Sequence, residues 1–157
     1  QFDRKLDAQL AAAIVSIQAV KGVEIGTAFR NAVSFGSEVH DAMHLENGSP
    51  VRKTNRAGGI EGGMTNGEII HIRGAMKPIS TLMTPLQSFD FASMEEVPSR
   101  IERSDTCAVP ACGVIAEAAV APVIANAVLE KFGGDSLNEV AERLEHYRER
   151  IRQQLQR

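Results

Sequence analysis

Leu6, Leu10, Ala13, Ile14 and Ile17 recur at steps of three and four residues, which places them on one face of a helix. Asp3 stands where that helix is expected to be capped. Ala19 to Ile25 is a short apolar run expected to form a strand, with Gly22 inside it and Gly26 ending it. Residues 27–50 carry a weaker pattern: a helical turn at Ala28 to Val33, then a polar loop through Gly36-Ser37-Glu38 and Glu46-Asn47-Gly48, the segment expected to be most mobile. From Val51 the character changes. Arg52, Lys53 and Arg56 lead into Ala57-Gly58-Gly59-Ile60-Glu61-Gly62-Gly63-Met64-Thr65-Asn66-Gly67, and the glycines between Gly58 and Gly63 exclude a helix interior. Glu68 to Arg73 has strand propensity. Ala75 to Thr81 reads as a second extended segment broken by Pro78, and Phe89 to Phe91 and Arg100 to Arg103 as short strands.

Pro110 sits just inside the start of a helix predicted to run to about Phe132, where its missing N–H does least harm. Nearly every face of this helix is apolar, which predicts burial on most sides. Pro122 is expected to kink it or to remove a hydrogen bond, and Gly133-Gly134 to stop it. Ser136 and Glu139 have capping-box spacing. The last helix carries Leu137, Val140, Leu144, Tyr147, Ile151 and Leu155 on one stripe, with Arg148, Arg150, Arg152 and Arg157 near its C-terminal end, where cations suit the helix dipole. Helices mixed with short strands give a mixed α/β (α+β) fold class.

Composition narrows the function classes. The 157 residues are 43% hydrophobic and 24% charged, as in a globular domain with a real core. A net charge of -3 gives no basis for non-specific nucleic-acid or acidic-membrane binding. Six Phe, one Tyr and no Trp make base-stacking platforms an unpromising reading. The apolar stretch from Ala108 to Ala127 is Ala-rich and interrupted by Pro110, Gly113, Glu117, Pro122 and Asn126, so it reads as a buried helix rather than a membrane span, and no signal peptide is read ahead of it. Cys107 and Cys112 match no common zinc spacing and read as reduced thiols of a cytoplasmic protein. A start at Gln1 rather than Met is expected of a fragment or a processed product.

Three segments are candidates for chemistry. The glycine-rich run lets backbone N–H groups approach an anion, yet it has neither the Gly-Lys-Ser/Thr of a P-loop nor a dinucleotide fingerprint, and the residues alone favour a tight connection between sheet segments. Lys77-Pro78-Ile79-Ser80-Thr81 puts an ammonium and two hydroxyls on a segment stiffened by proline, a phosphate-binding combination that an exposed strand end would also produce. In Arg103-Ser104-Asp105, ahead of the Pro110 helix, Asp105 is a helix cap paired with Arg103, or else the two are an anion-binding cation and a proton-transferring carboxylate. His40, His44, His71 and His146 are scattered, with no third ligand near the first two, and His71 is expected to point to the sheet face opposite Ile70 and Ile72.

Taken in order, these segments resemble one family. Arg56 to Gly67, Ala75 to Thr81, Arg103 to Ala111 and Glu130 to Asp135, with Gln18 to Gly26 and Gly36-Ser37-Glu38 followed by His40-Asp41 upstream, are similar to the C-terminal half of chorismate synthases. The resemblance spans residues 2–137, and the helix after about Asn138 carries little of it. It implies part of a β-α-β sandwich, an antiparallel sheet packed on long helices, with residues 1–134 as core and 135–157 as an appended amphipathic helix. It implies conversion of 5-enolpyruvylshikimate 3-phosphate to chorismate and phosphate with reduced FMN, in a cytoplasmic homotetramer, with NADPH as a candidate reductant of the flavin. Carried over residue by residue, it makes Gln18, Ala19, Gly62, Lys77, Pro78, Ile79, Ser80, Thr81 and Arg103 flavin-binding positions and Asp105 the catalytic carboxylate. The family's upstream half, which supplies two active-site histidines and most substrate-binding arginines, has no counterpart here, so the chain alone is expected to be inactive. Two other readings compete: a stand-alone anion- or nucleotide-binding module, and an oligomerisation piece built on the leucine-striped last helix.

Overall fold

The structure is a computed structural model that describes residues 1–104 and 106–155. A 3₁₀ turn at Phe2–Arg4 leads into α1, Leu6–Val15. Its predicted stripe is its packed face: Leu6, Leu10 and Ile14 are buried, Leu10 completely. Asp3 does not cap it. Lys5 occupies the N-cap without a side-chain bond, because the chain turns tightly through Asp3 before the helix begins. Strand β1, Val20–Ile25, pairs antiparallel with β6, Ile72–Met76, from Val20 opposite Met76 to Ile25 opposite Ile72. The ladder starts later than the propensity of Glu68 to Arg73 suggests, and so His71 does not alternate. It lines one apolar groove together with Ile70 and Ile72.

The weakly patterned segment is ordered by short elements. α2 (Ala28–Asn31) and α3 (Gly36–Val39) precede a hairpin of β2, Met43–Glu46, and β3, Ser49–Arg52. Asn47 (φ 52°) and Gly48 (φ 78°) are both left-handed, the turn that Asn-Gly favours between two strands. The glycine-rich run forms a second hairpin, β4 (Ile60–Glu61) and β5 (Met64–Thr65), turned by Gly62 and Gly63. The tight-connection reading is therefore correct for this run. A third hairpin, β7 (Gln87–Phe89) with β8 (Glu96–Pro98), is near but not identical to the predicted strands, and Arg100 to Arg103 form none.

α4 runs from Val109 to Phe132 with Pro110 in its first turn and Pro122 inside it. Gly133 (φ 60°) ends it, its N–H donating to the Leu129 carbonyl. α5, Leu137–Leu155, starts on the predicted capping pair: Glu139 N–H donates to Ser136 Oγ, and Glu139 Oε2 accepts from Asp135 N–H. Arg143 donates to the Phe132 carbonyl at 2.9 Å, and Lys131 donates to the Tyr147 hydroxyl at 3.0 Å, which pins α5 across the end of α4. The core is small: Leu6, Leu10 and Ile60, with Ile25, Ile70 and Ile72 on one side and Val120, Val123, Ile124 and Ala127 of α4 on the other. The expectation that α4 is buried on most sides fails. None of its residues is buried, because one face meets α1 and the core, α5 meets only its end, and among the described residues nothing covers the rest. By length and composition α4 is long and apolar enough to cross a membrane.

Candidate functional site

Antiparallel pairing of β1 with β6 places the residues just before β1 beside those just after β6. Gln18-Ala19 therefore meets Lys77-Pro78-Ile79-Ser80, although about sixty positions separate them in sequence. The Lys77 N–H donates to the Ala19 carbonyl at 2.7 Å. Ala19 holds a left-handed backbone (φ 67°), uncommon for a residue with a Cβ and characteristic of sites where geometry outweighs local strain. The two segments line a groove of about 460 Å³ together with Val15 at the end of α1 and Ser16 and Ile17 just after it. Six of the sequence-predicted positions (Gln18, Ala19, Lys77, Pro78, Ile79 and Ser80) thus lie on one concave surface.

The others stand apart from that lining. Thr81 follows Ser80 half-buried, outside the groove wall. Gly62 is at the tip of the β4–β5 hairpin with open space where a Cβ would be. That hairpin is tied to α1 by Leu6 N–H donating to the Gly63 carbonyl at 2.9 Å. Arg103 is exposed in the coil between β8 and α4. Asp105 lies outside the described residues.

Asp41, part of the His40-Asp41 pair that carries the resemblance but with no role read from the sequence, is a polar centre. Its Oδ1 accepts from Thr54 Oγ1 at 2.6 Å and Arg56 N–H at 2.8 Å, and its Oδ2 accepts from Ala57 N–H at 2.8 Å. Burial pushes this carboxyl up, but the hydrogen bonds from Thr54, Ala57 and Arg56 together with the Arg56 charge outweigh it and hold the carboxyl below its ordinary value. Asp41 thereby fixes the entry to the glycine-rich run. Glu24 plays a matching part on β1. Buried, it accepts from Phe29 N–H at the start of α2 and pairs with Arg73, its cross-strand neighbour on β6. A larger groove, about 590 Å³, runs between α1, the β1–β6 ladder and α4, with His71, Cys112 and Glu117 interrupting an apolar lining.

The chorismate synthase family model matches residues 1–129 of the chain. The chorismate synthase of Chloroherpeton thalassium is 71% identical over 148 residues, covering 94% of this chain and 38% of that protein. The chorismate synthase of Prosthecochloris aestuarii is 69% identical over 157 residues, covering 99% of this chain and 40% of that one. A crystal structure of chorismate synthase superposes with a TM-score of 0.73 at 43% identity, covering 94% of this chain and 37% of that structure. The chain spans about two fifths of the length of these relatives. With the family model matching most of its residues, the chain belongs to the chorismate synthase family.

Proposed function

We propose that this chain is the C-terminal, flavin-facing part of an enzyme that converts 5-enolpyruvylshikimate 3-phosphate to chorismate and phosphate, and that the groove between Gln18-Ala19 and Lys77 to Ser80 holds FMN. The observation that carries the reading is the junction of those segments, closed by the Lys77 N–H bond to Ala19. The groove suits one end of such a cofactor: it is concave, partly polar, and supplied with an ammonium, a hydroxyl at Ser80 and a carboxamide at Gln18.

Reduced flavin, when bound, supplies the electron density that eases loss of phosphate in this 1,4-elimination. The chain's own residues bind and orient. The Lys77 ammonium and the Ser80 hydroxyl hold negatively charged oxygens, while Pro78 limits how far the segment bends. Arg103 adds a cation ahead of α4 as a further flavin contact. Asp105 has the chemistry to accept the ring proton on a carboxylate oxygen as phosphate departs. Gly62 and Thr81 are proposed as further flavin contacts, completed when the rest of a full-length enzyme folds against this chain. The same reading makes the complete protein a cytoplasmic homotetramer, with its free Cys107 and Cys112 kept reduced.

Flavin binding tests it. With a full-length protein made by joining this chain to the upstream part of the Chloroherpeton relative, FMN fluorescence is expected to change on binding. Lys77→Gln with Ser80→Ala should weaken that binding by roughly tenfold or more, the effect of losing a charge-assisted contact. Unchanged FMN affinity in the double variant would remove the groove from the flavin site.

A further inference from the structure

We infer that Lys21 is a second phosphate-binding cation of this groove, acting beside Lys77 on the phosphate monoester of the flavin. The inference rests on the flavin reading above and deepens it. In the β1–β6 ladder, Val20 faces Met76 and Gly22 faces Ala75, so Lys21 is the extra residue of a β-bulge. A bulge re-aims the side chain it carries, and bulges gather beside functional sites. Here Val20 is buried in the core while Lys21 is exposed and lines the groove that Lys77 also lines. The Lys77 N–H bond to Ala19 holds the two backbones in contact, so both ammonium groups rise from adjoining strand ends.

Their surroundings set them apart from the other lysines. Lys5 pairs with Asp7, Lys53 with Glu46, and Lys131 donates to Tyr147. Among the described residues, Lys21 and Lys77 have no carboxylate partner, and both stand on the one groove. Two like charges on one concave surface repel each other, and an anion between them relieves that repulsion. A phosphate monoester carries about -1.5 to -2 at neutral pH, the charge that two ammonium groups balance.

The experiment compares FMN with riboflavin, which lacks the phosphate, by fluorescence anisotropy with the chain joined to the upstream part of the Chloroherpeton relative. Lys21→Gln is expected to weaken FMN binding roughly tenfold, as for loss of one charge-assisted contact, and to leave riboflavin unchanged. Lys21→Arg is expected to retain FMN. If Lys21→Gln binds FMN as the unsubstituted joined protein does while Lys77→Gln does not, Lys21 has no such role and the flavin reading stands. Equal losses for FMN and riboflavin would make Lys21 a structural residue and overturn the inference. If the unsubstituted joined protein binds neither flavin, the groove reading falls and this inference falls with it.

Discussion

Gly26 and Gly58 pass each other so closely that neither has room for a methyl group. A Cβ on Gly58 would lie 2.3 Å from Gly26 N, 2.6 Å from Gly26 Cα and 2.9 Å from the His71 carbonyl oxygen. All three are backbone atoms, which cannot rotate away. Gly58 is also left-handed (φ 64°), as is Gly48 (φ 78°), which has nothing within 4 Å of its Cβ position. Gly58→Ala and Gly48→Ala therefore share the left-handed penalty, about 1–2 kcal/mol. They differ in the contact. At Gly58 the chains must separate, which breaks or stretches Gly26 N–H to His71 O (2.9 Å) and His71 N–H to Gly58 O (3.1 Å). At about 1 kcal/mol for each bond, Gly58→Ala should cost about 3–4 kcal/mol and Gly48→Ala about 1–2. Urea denaturation followed by circular dichroism measures both. Equal losses in the two variants would refute the argument, because the close approach would then contribute nothing.

Leu10→Ala removes the one large side chain with no exposure among the described residues, so about 2–5 kcal/mol of stability should go, read as a lower urea midpoint. Asp41 has a folded-state value below that of the unfolded chain, so the stability it adds is present above the unfolded value, about 3.9, and is lost as pH falls through the lower folded value. Asp41→Asn should lower stability at neutral pH by about 1–3 kcal/mol, and the gap to the unsubstituted chain should close in acid; a gap independent of pH would count against the carboxylate's role. The uncovered apolar face of α4, including Val109, Val114 and Ile115, should make the chain self-associate when alone. Joining it to the upstream part of a relative should replace that association with a defined tetramer, and a monomeric mass of the lone chain by light scattering at high concentration would contradict the expectation.

Local rules carried far along this sequence. The α1 stripe, the Pro110 start and Gly133 stop of α4, and the Ser136–Glu139 cap depend on residues within a few positions of one another, and all appear in the structure. The Asn47-Gly48 hairpin was equally legible but was hidden in a polar stretch, where turn chemistry outweighed the lack of apolar alternation. The strand boundary at Ile72 followed from pairing with β1, which no local window contains. The same holds for the Asp41 centre, whose partners lie 13 to 16 positions away. Burial of α4 differs from the expectation because apolar composition states only what a helix can cover, and the described residues supply no surface to cover most of it. For the site, order of motifs identified the segments, but only the β1–β6 ladder explains why Gln18 and Lys77 meet.

The most direct test of the central claim is chorismate formation from 5-enolpyruvylshikimate 3-phosphate with chemically reduced FMN, without oxygen. The 157-residue chain would be assayed beside the same chain joined to the upstream part of the Chloroherpeton thalassium enzyme. Chorismate is expected from the joined protein, with its loss on Lys77→Gln with Ser80→Ala, and none from the chain alone. A folded joined protein that binds both ligands yet forms no chorismate would contradict it.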